Sequence, residues 1–335
     1  GPASESSQEA LEARKARVAP DDLADIIFTS GTTGKPKGAM CTHAQDLRTF
    51  RTWADITGLR EGDRYLIAMP FFHSFGYKAG WLAAFMMGAT VMPEAVFDAD
   101  KILRRIEAER VSFFPGPPAI YQSLLMHPEL ESFDRSSLRV AVTGAAIIPV
   151  QLVEDMRSKL GFGTVITAYG LTETTGTVTM CSADDDPTTI ATTSGKAIPG
   201  VEVRIVDRDG NVLGPNETGE ICVRGFNVMV GYFDAPEETE KTMDADGFLR
   251  TGDVGSLDER GYIRITDRMK DLFIVGGFNA YPAEIEQIMA KHEGIAEVAV
   301  VGIPDERMGE VGMAFVVPRA GHTLVEGEVI AWCKE

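Results

Sequence analysis

Between Asp25 and Tyr169, short apolar runs alternate with helical patterns, and this alternation constrains the fold more than any other feature of the chain. The apolar runs are Asp25–Phe28, Tyr65–Met69, Val111–Phe114, Leu138–Val142 and Thr164–Tyr169. Between them fall a helix after His43, one around Trp81, one from Asp100 to Arg110, one near Ala119–Leu125 and one around Val150–Leu160. In the Asp100–Arg110 segment, Ile102, Leu103 and Ile106 share one face at helical spacing. Strand and helix in this order predict an α/β fold with mostly parallel strands.

The texture changes after Ala197. Short β-like runs (Val201–Val206, Gly219–Val223, Gly261–Ile265) are separated by turn pairs such as Asp209-Gly210, Asp246-Gly247 and Arg260-Gly261. That pattern predicts an antiparallel, barrel-like subdomain. A third texture begins near Asp271, with a strand through Ile274, a helix from Pro282 to His292 and β-like runs at Val298–Ile303 and Met313–Val317. It reads as a small α+β domain still incomplete at Glu335. The expected division is therefore 1–196 and 197–269 as the main and barrel-like parts of a large domain, and 270–335 as a hinge and small domain. Ser4 to Val18 reads as a surface helix or linker.

Length and charge limit the function classes. The 335 residues are enough for about two domains. The 50 acidic against 32 basic side chains give a net charge of −18, a field that repels a nucleic-acid backbone. A polyanionic ligand must instead be held locally, by backbone N–H groups, a metal ion or a few placed cations. The four cysteines (Cys41, Cys181, Cys222, Cys333) form no C-x-x-C pair, which points to a reducing, cytoplasmic setting. The longest apolar run, Ala79 to Met92 between Lys78 and Pro93, is shorter than the ~18–20 residues that span a bilayer and is expected to form a buried helix.

The strongest local signal is T-S-G-T-T-G-K-P-K-G, Thr29 to Gly38, directly after an apolar strand. Glycines allow positive φ and close approach of the backbone to a ligand, hydroxyls and N–H groups donate, and Lys35 and Lys37 supply charge, so the composition suits a phosphate cradle. It is not a Walker A loop, which requires Lys followed by Ser or Thr after its second spaced glycine; here Lys35 precedes Pro36.

The loop resembles the phosphate loop of the acyl-adenylate-forming (AMP-binding) superfamily, and further motifs occur in that family's order. F-F-H-S-F-G (Phe71–Gly76) resembles its acyl-pocket motif, Y-G-L-T-E-T (Tyr169–Thr174) its adenine and magnesium motif, and G-E-I-C-V-R-G (Gly219–Gly225) a structural motif. L-R-T-G-D (Leu249–Asp253) resembles the ribose motif, and D-R-M-K-D (Asp267–Asp271) the hinge before the small domain. The resemblance implies that Thr29, Ser30, Gly31, Thr32, Thr33 and Lys37 hold ATP phosphates, that Glu173 ligates Mg²⁺ and that Thr172 donates to the α-phosphate. It further implies adenine on Tyr169, Gly170, Gly144, Ala145 and Ala146, and ribose on Asp253 with Arg268. His73 would lie near the acyl carboxylate, Lys270 at the hinge, and Gly276 and Gly277 beside the coenzyme A channel.

The resemblance implies an acyl-CoA ligase using ATP, Mg²⁺ and coenzyme A to convert a small carboxylic acid to acyl-AMP and then to the thioester. Phe71–Gly80, Pro115–Leu125, Ala141–Ala146 and Thr167–Glu173 most resemble actinobacterial ligases for the bicyclic indane propionate left from steroid rings, and small residues at Gly76, Gly80, Gly144, Ala145 and Ala146 are expected to make room for such a ring system; a fatty acid is the other substrate weighed. Two rival readings are an acyl-AMP ligase that loads a carrier protein and a non-catalytic nucleotide-binding fragment; a luciferase-type oxygenase shares every motif. A homo-oligomer stays open. The family's subdomain before the phosphate loop and its terminal P-x-x-x-x-G-K lysine are absent; Lys334 lacks that context. The chain is therefore expected to be truncated at both ends and, alone, to adenylate weakly.

Overall fold

The computed structural model describes residues 5–29, 36–144, 148–268, 272–275, 278–305 and 309–333. It divides into two compact units: Gly1–Val203 with Val223–Leu249 and Gly261–Ile263, and Arg204–Cys222 with Arg250–Arg260 and Arg264–Glu335.

In the first unit, helix α1 (Glu5–Lys15) precedes an antiparallel hairpin of β1 (Leu23–Thr29) and β2 (Lys37–Thr42), with Thr29 opposite Lys37. Strand β2 runs straight into α2 (His43–Thr57), because Thr42 closes a capping box with Gln45 and Gly58 ends the helix at φ 67°. The chain continues through β3 (Arg64–Ile67), α3 (Ala83–Met87), β4 (Thr90–Pro93), α4 (Ala99–Glu109), α5 (Pro118–Leu125), β5 (Val140–Gly144), α6 (Val150–Asp155), β6 (Thr164–Tyr169), β7 (Thr179–Met180), α7 (Pro187–Thr192) and β8 (Lys196–Ala197). Strand β3 pairs in parallel with β4, and β5 with β6, while Phe113 bridges Tyr65 and Val140. The result is one mixed sheet in the order β4, β3, Phe113, β5, β6, β7, β8, with the last two pairings antiparallel. The Val111–Phe114 strand expected from sequence is reduced to that single bridging residue.

The predicted face of α4 is the buried one, since Ile102, Leu103 and Ile106 are fully covered, each worth about 1.5–3 kcal/mol of burial. Trp53, Tyr65 and Phe113 join helix to sheet, with the Tyr65 and Phe113 ring centroids 4.6 Å apart. The apolar run expected to be one buried helix is not one. Residues Phe75–Leu82 form a wide helix with i to i+5 bonding, kinked at Gly80, and α3 then ends at Gly88 (φ 71°). Thr90-Val91-Met92, which suits a strand, pairs with β3.

A further four-stranded sheet has the order β13 (Ile263–Arg268), β12 (Leu249–Leu257), β10 (Gly219–Gly225), β9 (Val201–Val206). Two short elements of the first unit, β11 (Gly231–Tyr232) and α8 (Pro236–Thr242), lie between β10 and β12 in the chain. Toward the end come β14 (Phe273–Val275), β15 (Phe278–Ala280), α9 (Pro282–Met289), β16 (Ile295–Asp305), β17 (Gly309–Pro318) and α10 (Glu326–Trp332). Their antiparallel sheet has the order β15, β14, β17, β16 and a core of Phe273, Met289, Ile295, Val300 and Val329. Gly302 and Gly312 stand opposite each other there, and a Cβ at either would come within 2.4 and 3.0 Å of the Phe273 side chain. Among the described residues, no helix is long and apolar enough to cross a membrane.

Candidate active site

The sequence-predicted phosphate loop links β1 to β2 in the chain. Thr29 and Lys37 form its closing pair, whereas Ser30, Gly31, Thr32, Thr33 and Lys35 lie outside the described residues. Gly38 lets β1 side chains cross β2 closely: a Cβ there would sit 2.6 Å from the Ile26 side chain. Strand β11 adds to the other edge of β2, with Tyr232 opposite Ala39. That pairing brings Lys37 Nζ to 5.1 Å from the Tyr232 ring centroid and to 2.7 Å from Glu238 Oε2. The Lys37 and Lys241 ammonium groups beside Glu238 lower its carboxyl to about 2.

Glu173 sits on a single turn, Thr172–Thr174, beyond the end of β6. Thr174 ties the turn back on itself, accepting from the Leu171 N–H at 2.9 Å, and Thr175 comes next in the left-handed region (φ 57°). The turn is clamped from outside by the segment leading to β11: the Met229 N–H donates to the Glu173 carbonyl at 2.9 Å, Thr175 Oγ1 donates to the Asn227 carbonyl at 2.7 Å, and Asn227 Nδ2 donates to the Thr177 carbonyl at 2.8 Å. The Tyr232 hydroxyl then donates to Glu173 Oε1 at 2.8 Å. Burial, and next the negative Glu173 beside it, raise the Tyr232 phenol far above its usual range, so it remains a hydrogen-bond donor. Lys37, Tyr232 and Glu173 thus stand in one row.

Glycines set the geometry around this row. A Cβ on Gly170 would fall 2.4 Å from the Gly176 carbonyl oxygen, and one on Gly144 would fall 2.5 Å from that of Ala168. Gly144 and Tyr169 lie at the carboxyl ends of the paired parallel strands β5 and β6, where ligands of open α/β sheets sit. Ala145 and Ala146 are outside the described residues. The expectation that small residues leave room for a bulky ring meets a different cause at three positions: Gly144 is filled by Ala168, Gly80 faces the Ile67 side chain at 3.3 Å, and a Cβ on Gly76 would strike the Pro70 carbonyl oxygen at 2.2 Å. Backbone packing already requires small residues at Gly76 and Gly144, and the Ile67 side chain crowds Gly80.

The turn carrying His73 is joined to the Glu173 segment, because Gly176 rests against Ser74, with 3.4 Å between a Cβ at that glycine and the Ser74 Cβ. His73 is exposed, and its Nδ1 accepts from the Phe75 N–H at 3.1 Å. Partial burial lowers its pKa, so at neutral pH the ring is neutral and its proton resides on Nε2. Thr172 is half-buried, at the start of the Glu173 turn.

Asp253 and Arg268 belong to the second unit. Asp253 is buried on β12, where its N–H donates to Thr251 Oγ1 at 3.1 Å and Thr251 donates to the Ile221 carbonyl at 2.7 Å. Arg250 Nε donates to the buried Glu220 carboxylate at 2.8 Å and fixes the start of the same strand. Arg268 ends β13. Lys270, Gly276, Gly277 and Lys334 lie outside the described residues. Tyr232, Glu238 and Asn227 escape sequence reasoning; only their place between two recognisable motifs marks the segment.

The chain matches the family described as AMP-binding enzyme over residues 2–233 and the AMP-binding enzyme C-terminal domain over residues 284–335. It is 55% identical over 333 residues to a 7a-methyl-1,5-dioxo-octahydro-1H-inden-4-yl propanoyl:CoA ligase of Rhodococcus jostii (strain RHA1), covering 99% of this chain and 62% of that protein. A ligase of the same description from Mycobacterium tuberculosis (strain ATCC 25618 / H37Rv) is 53% identical over 327 residues, with 98% and 62% covered. Among solved structures, ATP-bound MatB from Rhodopseudomonas palustris superposes with a TM-score of 0.87 at 36% identity, covering 94% of this chain and 62% of that one. The chain thus spans about three fifths of the length of the relatives it matches. With both family regions present in order and the motif residues on the strand ends and turns just described, the chain belongs to the AMP-binding enzyme family.

Proposed function

We propose that this chain is part of an ATP-dependent acid–thiol ligase that forms acyl-AMP and then an acyl-CoA thioester. The observation that carries the reading is the row Lys37–Tyr232–Glu173 beside the carboxyl ends of β5 and β6. A cation and a carboxylate on either side of one tyrosine at that place suit a polyphosphate and its counterion.

In the proposed reaction a carboxylate oxygen of the acid attacks the α-phosphorus of ATP, the bond to pyrophosphate breaks, and acyl-AMP forms. The thiol of coenzyme A then attacks the acyl carbon, AMP leaves with the bonding electrons, and the thiol proton is lost. Thr29 and Lys37 bind the outer phosphates, Thr172 donates to the α-phosphate, and His73 offers its Nε2 proton toward the acyl carboxylate. Tyr169, Gly170 and Gly144 form the adenine surface, and Asp253 with Arg268 takes the ribose. Mg²⁺ fits the donor set, since a hard cation prefers carboxylate oxygen and a neutral phenol orients Glu173; when bound it supplies neutralisation of phosphate charge. Orientation and charge stabilisation are the main protein contributions to such a phosphoryl step.

The acid we propose is a bicyclic indane propionate, supported by the resemblance to the Rhodococcus and Mycobacterium ligases. The test is mass spectrometry of products from the protein at its native length with ATP, Mg²⁺, coenzyme A and a panel of fatty, aryl and indane carboxylic acids. AMP with one acyl-CoA is expected. Acyl-AMP that accumulates in the presence of coenzyme A would overturn the thiol acceptor, and no adenylate with any acid would overturn the ligase reading.

A further inference from the structure

A fully buried cation, Lys78, lies outside the row that suits the phosphates. Lys78 has no solvent exposure, and its Nζ stands 2.7 Å from Asp46 Oδ1 and 3.1 Å from Asp25 Oδ1. The Asp25 and Asp46 carboxylates and Cys41 Sγ approach one another within 4.8 Å. A divalent metal could use such a triad, but the ammonium already occupies the position. Buried ion pairs are poor sources of stability, because desolvation offsets the attraction, so a hydrophobic replacement often holds a fold equally well. The placement of these charges is more informative than their number.

Each member belongs to a different wall of the candidate site. Asp25 lies on β1, which runs into the phosphate loop, and Cys41 on β2, which leaves it. Asp46 is in the first turn of α2. Lys78 is on the wide helix Phe75–Leu82, whose start folds back on the His73 turn: the Tyr77 N–H donates to the His73 carbonyl at 2.9 Å. Cys41 Sγ lies 3.5 Å from Thr175 Oγ1, two residues past Glu173. One ammonium therefore reaches the hairpin of the phosphate loop, the His73 turn and, through Cys41, the Glu173 turn.

We propose that Lys78 is a positioning residue for adenylation, its ammonium tying the wide helix that follows the His73 turn to β1 through Asp25 and to α2 through Asp46. The inference rests on the ligase reading above. Against one buried ammonium stand two carboxyl groups, Asp25 and Asp46. The groups that face Asp46 are Asp25 from β1, Cys41 from β2, and Tyr77 and Lys78 from the wide helix. Burial, and then the neighbouring Asp25, push Asp46 up to about 7. Burial opposes the charge on Lys78, yet its negative neighbours raise its pKa and keep it protonated.

The test uses the native-length protein as Lys78→Met, and as Lys78→Met/Asp46→Asn in case the single variant does not fold. The readouts are ATP affinity by calorimetry, and kcat and KM of acyl-AMP formation from pH 6 to 9. We expect Lys78→Met to lower kcat at least tenfold at pH 8 with ATP affinity changed less than threefold, and the loss to deepen as pH rises and Asp46, left without its cation, ionises. The double variant should flatten that pH slope and recover thermal stability while kcat stays at least tenfold low. Wild-type kcat in the double variant, or ATP affinity and kcat falling in proportion in both variants, would overturn the positioning role and leave the ligase reading intact. A wild-type protein that forms no acyl-AMP overturns both, and that result is read before any variant is made.

Discussion

Replacing Asp46 by Asn should change the pH dependence of stability more than its level at acid pH. Asp46 is 3% exposed, and it is surrounded by Asp25, Lys78, Cys41 and Tyr77. In the folded protein its carboxyl titrates at about 7, against 3.8 when solvated. Between those values the native state holds a proton that the unfolded state has released, so stability falls as pH rises. One proton corresponds to about 1.4 kcal/mol per pH unit, and the whole window to roughly 4 kcal/mol. Asn resembles the protonated acid and has no such titration. Urea unfolding of both proteins at pH 5, 6, 7 and 8 isolates the effect of this buried cluster, because groups remote from Asp46 titrate alike in the two. The advantage of the variant should grow by about 1.4 kcal/mol per unit from pH 5 to 7 and level off above about pH 8. Parallel stability curves would refute the reasoning, since they would mean that Asp46 is already ionised in the folded protein throughout this range, held by Lys78.

Three further outcomes can be measured on the native-length protein. Glu173→Gln should weaken ATP binding about tenfold or more in the presence of Mg²⁺, about 1.4 kcal/mol, and change it little without the ion; calorimetry under both conditions decides this. Glu238→Gln removes the partner 2.7 Å from Lys37 Nζ, so the ammonium no longer has to leave a carboxylate to meet phosphate. ATP affinity should rise about three- to tenfold by the Coulomb argument, and a loss of affinity would show that Glu238 orients Lys37 instead. Gly170→Ala forces a Cβ to within 2.4 Å of the Gly176 carbonyl oxygen and 2.6 Å of the Thr177 Cα. Because only backbone can move to relieve it, the variant should lose about 1–3 kcal/mol of stability in denaturant melts and bind ATP more weakly; unchanged values would contradict the close approach.

The candidate site is legible in the sequence wherever its parts are local. A run of glycines, hydroxyls and lysines after an apolar strand marks the loop by composition, but the antiparallel pairing of Thr29 with Lys37 at its ends is not read from it. The Tyr169-Gly170 step and Glu173 come after a strand end because a short run of β-forming residues stops at a glycine that tolerates no side chain. Tyr232 and Glu238 are hidden because they reach Glu173 and Lys37 across 59 and 201 positions of chain. The strand that delivers Tyr232, Gly231–Tyr232, is two residues long, too short to show any period. In sequence Lys78 is the polar edge of an apolar run, yet it has no solvent exposure. A one-dimensional pattern places a lysine in water by default, and only the meeting of β1, α2 and the wide helix supplies the two carboxylates that let it stay charged inside.

By itself, the amino-acid sequence determined the properties that depend on near neighbours along the chain. These include the alternation that makes the parallel strands, the buried stripe of α4 and the glycine, hydroxyl and lysine composition between β1 and β2. Each rests on backbone preference and side-chain period, which act over a few residues. Tertiary structure alone decided which distant groups share a dielectric environment. Whether Lys78 is a solvated surface charge or a buried tie, whether Tyr232 packs or donates to Glu173, and whether Gly76, Gly80 and Gly144 leave space or are filled by Pro70, Ile67 and Ala168, all depend on contacts that tertiary packing creates. Hydrogen bonds and ion pairs fall off within a few ångströms and are reshaped by burial. Their energies therefore exist only once the chain has brought the partners together.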